Sequence, residues 1–139
     1  MTLTIPHASI SQAAADRLIG AATAKAAEMG LSMVIAVVDD AGVMKAFRRM
    51  DGAPLLSVEI AKDKAYTAAA YKIPTHAWFD FIKSDPPLLH GIVHTNRLVV
   101  FGGGYPVEVD GQVVGGIGVS GGHYSQDQEV AEAALAALK

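Results

Sequence analysis

The chain has 139 residues, 51% of them apolar, with 11 lysines and arginines against 14 aspartates and glutamates and no cysteine at all. That length suits one domain, residues 1–139, burying roughly two thirds of the surface of its unfolded form. Lack of cysteine excludes disulfides, thiolate catalysis and cysteine-ligated zinc, and a net charge of −3 with scattered cations excludes the basic face of a nucleic-acid binder.

Residues Met1 to His7 carry neither the basic cluster nor the apolar stretch of a secretory signal, so a cytoplasmic protein is expected. The longest apolar runs, such as Met33 to Val38, are far too short to cross a bilayer. Ser9 followed by Gln12 reads as a capping box, and Ala13, Leu18, Ala22, Ala26 and Met29 then recur at helical spacing up to Gly30. Met33 to Val38 predicts a buried strand, Asp39 to Gly42 a turn, and Val43 to Arg48 the partner strand of a hairpin. Leu55 to Tyr71 is alanine-rich with Leu56, Ile60, Ala61, Ala65 and Ala68 on one face, a second helix closed by Pro74. His76 to Ile82 predicts a short helix capped by Thr75 and stopped at Asp85-Pro86-Pro87. Leu98 to Phe101, Tyr105 to Val109 and Gln112 to Val119 are three more strands, the last two joined by the turn Asp110-Gly111. Ser125 and Gln128 suggest a second capping box before a C-terminal helix carrying Val130, Ala133, Ala134, Ala137 and Leu138. Near-continuous apolar strands need cover on both faces, so the order predicts an α+β fold: a three-layer α/β/α sandwich around a five-stranded antiparallel sheet.

Gly116-Ile117-Gly118-Val119-Ser120-Gly121 matches the dinucleotide fingerprint letter for letter, but its first two glycines lie within a strand and no parallel crossover follows. Ser120-Gly121-Gly122-His123-Tyr124 is instead the bend into the last helix. Its free N–H groups suit a carboxylate, and its glycines equally suit a tight turn. Arg49 can grip a ligand carboxylate with Asp51 orienting it, or the two can fix their own loop. Lys64, if it lies on the packed face of its helix, is a desolvated base or anion binder; on the other face it is ordinary. His90 and His94, four apart, would join His123 in a metal site only if their segment is helical, which Gly91, Ile92 and Val93 disfavour. His76 reads as a surface or cap residue, and His7 as a neighbour of another subunit.

The combination Val37-Val38-Asp39 through Gly42, Arg49-Met50-Asp51-Gly52-Ala53-Pro54, Lys64-Ala65 with Thr67-Ala68-Ala69, and Gly115 to Gly122 followed by Gln126-Asp127 resembles the GlcG/HbpS family, also called haem-degrading or DUF336 domains. His123 departs from that pattern, standing where relatives usually carry threonine. The resemblance implies a profilin-like fold, dimer-based homo-oligomers that are often octamers, and in some members haem binding. It leaves open whether any reaction is catalysed. The leading expectation is a small-ligand-binding protein, haem being the nominal ligand, with its site near Arg49, Asp51, Lys64, Ser120, Gly121, Gly122 and Tyr124. The rival is a cofactor-independent enzyme of proton-transfer, isomerase or lyase type acting on a small organic acid, with His123 and Lys64 as its catalytic groups. Neither reading involves a membrane or nucleic-acid partner.

Overall fold

Helix α1 spans Gln12–Glu28 and begins two residues later than the Ser9 capping box predicts. The Ile10 N–H is still bonded to the Val114 carbonyl of the sheet, so the chain stays extended there. The cap is Ser11, whose hydroxyl accepts the Ala14 N–H at 3.1 Å. The computed structural model describes all 139 residues. Strands β1 (Val34–Asp39) and β2 (Met44–Arg49) form the expected hairpin, its turn held by Asp39 Oδ1, which accepts the N–H groups of Ala41 and Val43. Helix α2 (Leu56–Tyr71) stops at Lys72, which takes the left-handed conformation two residues before Pro74.

Helix α3 (Ala77–Ile82) lies where expected, but Thr75 is not its cap. Its buried hydroxyl instead accepts the Gly104 N–H at 2.9 Å. The pair Pro86-Pro87 does not end the helical region either. Asp85 caps a further helix, α4 (Pro86–Gly91), because proline is tolerated in a first turn whose N–H groups have no helical partner. A 3₁₀ turn, Ile92–His94, follows.

The sheet has four strands, not five: β3 (Gly104–Val109) and β4 (Gln112–Ser120) complete an antiparallel order β2-β1-β4-β3. The run Leu98 to Phe101 is no strand. The hydroxyl of Thr67 on α2 accepts the Val99 N–H at 3.1 Å and donates to the Arg97 carbonyl at 2.8 Å, doing for this segment what a neighbouring strand would. Val99 is nevertheless buried, which accounts for the apolar pattern. The β3–β4 turn is as expected, with Asp110 and Gly111 both at positive φ.

Alternation in β1 distributes the core to both faces. Met33, Ile35 and Val37, with Ile117, Val119 and Val107, lie under α1 and the last helix, α5 (Tyr124–Ala136). Val34, Ala36 and Val38 lie under Ala61, Ala65 and Ala69 of α2. On that second face β4 contributes Gly116 and Gly118. A Cβ on either would collide with the carbonyl oxygens of Ala65 and Ala61, so the glycines of the apparent nucleotide fingerprint are the floor on which α2 rests. Helix α5 is capped by His123, not by Ser125: the Ser125 N–H donates to His123 Nδ1 at 3.2 Å and the His123 N–H donates to Gln126 Oε1 at 2.9 Å.

Candidate functional site

Because α2 sits so low on the glycine floor, Lys64, on its packed face, has no route to solvent and is 0% exposed. Its ammonium donates to the Val119 carbonyl and to Asp127 Oδ2, both at 2.9 Å. Asp127, also buried, accepts the Gly122 N–H at 3.0 Å on its other oxygen. One ion pair thus ties α2, the end of β4, the glycine bend and α5 together. Burial pulls the Lys64 ammonium below the ordinary lysine value, with Asp127 opposing, and pushes the Asp127 carboxyl up, with Lys64 opposing. Gly103, at φ +123, leaves the ammonium its space: a Cβ there would lie 2.6 Å from Nζ.

The remaining residues of the bend also have partners inside the protein. Gly121 is pressed against the backbone of Met33, and a Cβ at Gly122 would meet the side chains of Gln126 and Met33. Ser120 is buried and registered with Val34 of β1, which on its other side is registered with Arg49. The Arg49 guanidinium donates to the Ala53 carbonyl, at 3.1 Å from Nη2, and so braces the loop that Asp51 occupies in the open. His90 lies in the last turn of α4 and His94 ends the 3₁₀ turn, both exposed, and no group of three histidine, aspartate or glutamate side chains converges anywhere to hold a metal. The structure therefore brings Lys64, Gly122 and Tyr124 into one neighbourhood and leaves Arg49, Asp51, His90 and His94 outside it.

That neighbourhood opens on a cleft of about 450 Å³ lined by His76, Phe79, Asp80, Val100, Phe101, Gly102 and Tyr124. Phe101 divides the cleft from the ion pair, its ring centroid 5.1 Å from Lys64 Nζ, a cation–π distance. His123, outside the lining, packs its ring on Tyr124 at 4.0 Å between centroids. His76 lies 5.5 Å from the ring of Tyr105, whose hydroxyl donates to Glu132 at 2.7 Å. Asp80 is the one formally charged side chain of the lining, and its hydrogen bond from Lys83 at 2.9 Å holds its carboxyl below the usual carboxylate value. A wider trough, about 550 Å³, follows the outer edge of β3 between Pro74 and Leu138, but the cleft alone gathers an imidazole, a phenol and aromatic walls at one point.

Sequence reasoning missed His76, Phe79 and Phe101 as one group, since they meet only through the packing of α3 against the loop before β3. Asp127 had a signal: a lysine buried on α2 requires a carboxylate, and Gln126-Asp127 stood within the recognised motif.

Comparison with known proteins agrees with this fold. The model of the family described as haem degrading protein HbpS-like matches residues 10–136. A 15.0 kDa protein encoded in the dhaT-dhaS intergenic region of Citrobacter freundii is 42% identical over 130 residues, covering 92% of this chain and 91% of that protein. The crystal structure of the Klebsiella pneumoniae protein ORFY, a DUF336 protein, is 37% identical and superposes with a TM-score of 0.93 over 99% of this chain and 95% of that one. A crystal structure of a PduOC:heme complex is 36% identical, with a TM-score of 0.85 over 93% of this chain and 94% of that one. Sequence and structure together place the chain in the HbpS-like family.

Proposed function

We propose that the chain is a small-ligand-binding protein whose ligand is haem, held in the cleft between α3, the Val100–Gly102 loop and the start of α5. The observation that carries this reading is the convergence of His76 and Tyr124 on a cleft walled by Phe79 and Phe101. Imidazole and phenolate are both axial ligands of haem iron, and aromatic faces suit a flat macrocycle. A similar chain crystallised as a haem complex supports it independently. In such a complex His76 or Tyr124 would ligate the iron and Phe79 and Phe101 would pack against the ring. Haem would supply redox or small-ligand chemistry, tuned by the axial residue. The buried Lys64–Asp127 pair anchors Phe101 and the bend before Tyr124, and so keeps the walls in place.

The rival reading, an enzyme acting on a small organic acid, has less support. Arg49, its proposed grip on a carboxylate, is turned to its own loop, and His123, its proposed general base, lies outside the cleft lining and caps α5. Titration of the protein with haemin tests the choice: a red-shifted Soret band saturating at one haem per chain is expected, and a spectrum that stays that of free haemin at stoichiometric concentration would refute it.

A further inference from the structure

The two edges of the sheet are built differently. At the β3 edge the outward-facing backbone of Gly104 is already bonded, its N–H to the Thr75 hydroxyl and its carbonyl to the Thr75 N–H, each at 2.9 Å. The next outward-facing residue, two along, is Pro106, which has no N–H. That edge is closed to a further strand. At the β2 edge Met50 donates to Met33, so by antiparallel alternation Phe47 and Arg49 turn their N–H and carbonyl groups outward. Nothing covers them. Beside this edge α2 leaves an apolar groove of about 310 Å³ lined by Met44, Phe47, Val58 and Lys62.

The same molecule carries a segment with strand chemistry and no place to put it. Thr2-Leu3-Thr4-Ile5 alternates hydroxyl and apolar side chains, three of the four are β-branched, and Leu3 and Ile5 are 85% and 72% exposed. The segment is rooted beside the β1–β2 turn, where His7 Nδ1 lies 3.2 Å from Asp40 Oδ2. Root and open edge therefore share one side of the molecule, as reciprocal exchange about a two-fold axis requires. Charge favours this strand over β2 pairing with its own copy in the register centred on Phe47. A two-fold at Phe47 would set Arg49 opposite Lys45, a repulsive register, whereas the threonine, leucine and isoleucine side chains are neutral. Five residues extend about 17 Å, which spans most of β2.

We propose that Met1–Ile5 of one copy adds as an outer strand to β2 of a second copy, with Leu3 and Ile5 in the Met44–Phe47–Val58 groove, and that two copies exchange these arms. The inference is independent of haem. Since the chain has no cysteine, cross-linking tests it cleanly. Leu3→Cys is combined in turn with Met44→Cys and Phe47→Cys, and with Glu108→Cys on the closed edge as the reference. After mild oxidation, at least one β2-edge pair should give tenfold or more covalent dimer than the reference on a non-reducing gel. Equal yields from both edges, or a disulfide closed within one chain, would overturn the proposal. Leu3→Pro and Thr4→Pro, at residues that make no packing contact to lose, provide a second route: one of them must remove an N–H of the added ladder. At least one should weaken self-association tenfold in sedimentation equilibrium with an unchanged circular dichroism spectrum, and unchanged association in both would again overturn it.

Discussion

The glycine bend and the cleft beside it lie on opposite sides of Phe101, and they use polar side chains in opposite ways. In the bend, Lys64, Asp127, Gly122 and His123 all find partners within the chain, so their chemistry is spent on fixing the ends of α2, β4 and α5. In the cleft, the imidazole of His76 and the hydroxyl of Tyr124 make no hydrogen bond to the protein and face an open space. A chain rich in candidate catalytic residues has thus placed most of them in its framework. The residues left to meet a ligand are fewer and plainer, and the framework is what holds them in position.

The difference can be broken most forcefully at the buried pair. Lys64→Met strands the Asp127 carboxylate in the interior and should cost about 3–5 kcal/mol in urea unfolding, whereas Lys64→Met with Asp127→Leu should recover most of that loss, since a buried ion pair scarcely outperforms well-packed apolar groups. A double variant as unstable as the single one would mean that the pair itself stabilises the fold. Next comes the floor under α2: Gly118→Ala pushes a methyl into the Ala61 carbonyl and should cost about 1–3 kcal/mol, checked by thermal denaturation. Smaller still is His123→Ala, which removes a helix cap worth about 0.5–2 kcal/mol and should leave ligand affinity within twofold of wild type. His76→Ala, at an exposed residue, should change stability by less than about 0.5 kcal/mol while weakening the complex and altering its spectrum. These last two substitutions sharpen the contrast, because stability and binding move separately.

The framework was far more legible in the sequence than the cleft. Apolar runs bounded by turn residues, with the Asp110-Gly111 turn, place the hairpins directly, and apolar spacing places α1, α2 and α5, because these signals are local. Errors arose where a partner distant in sequence replaced a local signal. Thr67 satisfies the Leu98 to Phe101 run that otherwise reads as a fifth strand, and the bond from Ile10 to Val114 delays the start of α1. The fingerprint glycines were conspicuous, yet only the depth of α2 on β4 explains them. The cleft was opaque for the same reason: His76, Phe101 and Tyr124 are separated by more than twenty residues at each step and meet only in the folded chain.

Whether the cleft or the bend receives the ligand is decided by a side-by-side haemin titration of the wild type, His76→Ala and His123→Ala, read in the Soret and charge-transfer bands. The cleft account predicts a low-affinity, altered spectrum for His76→Ala and a wild-type spectrum for His123→Ala. Wild-type binding by His76→Ala together with loss in His123→Ala would contradict it.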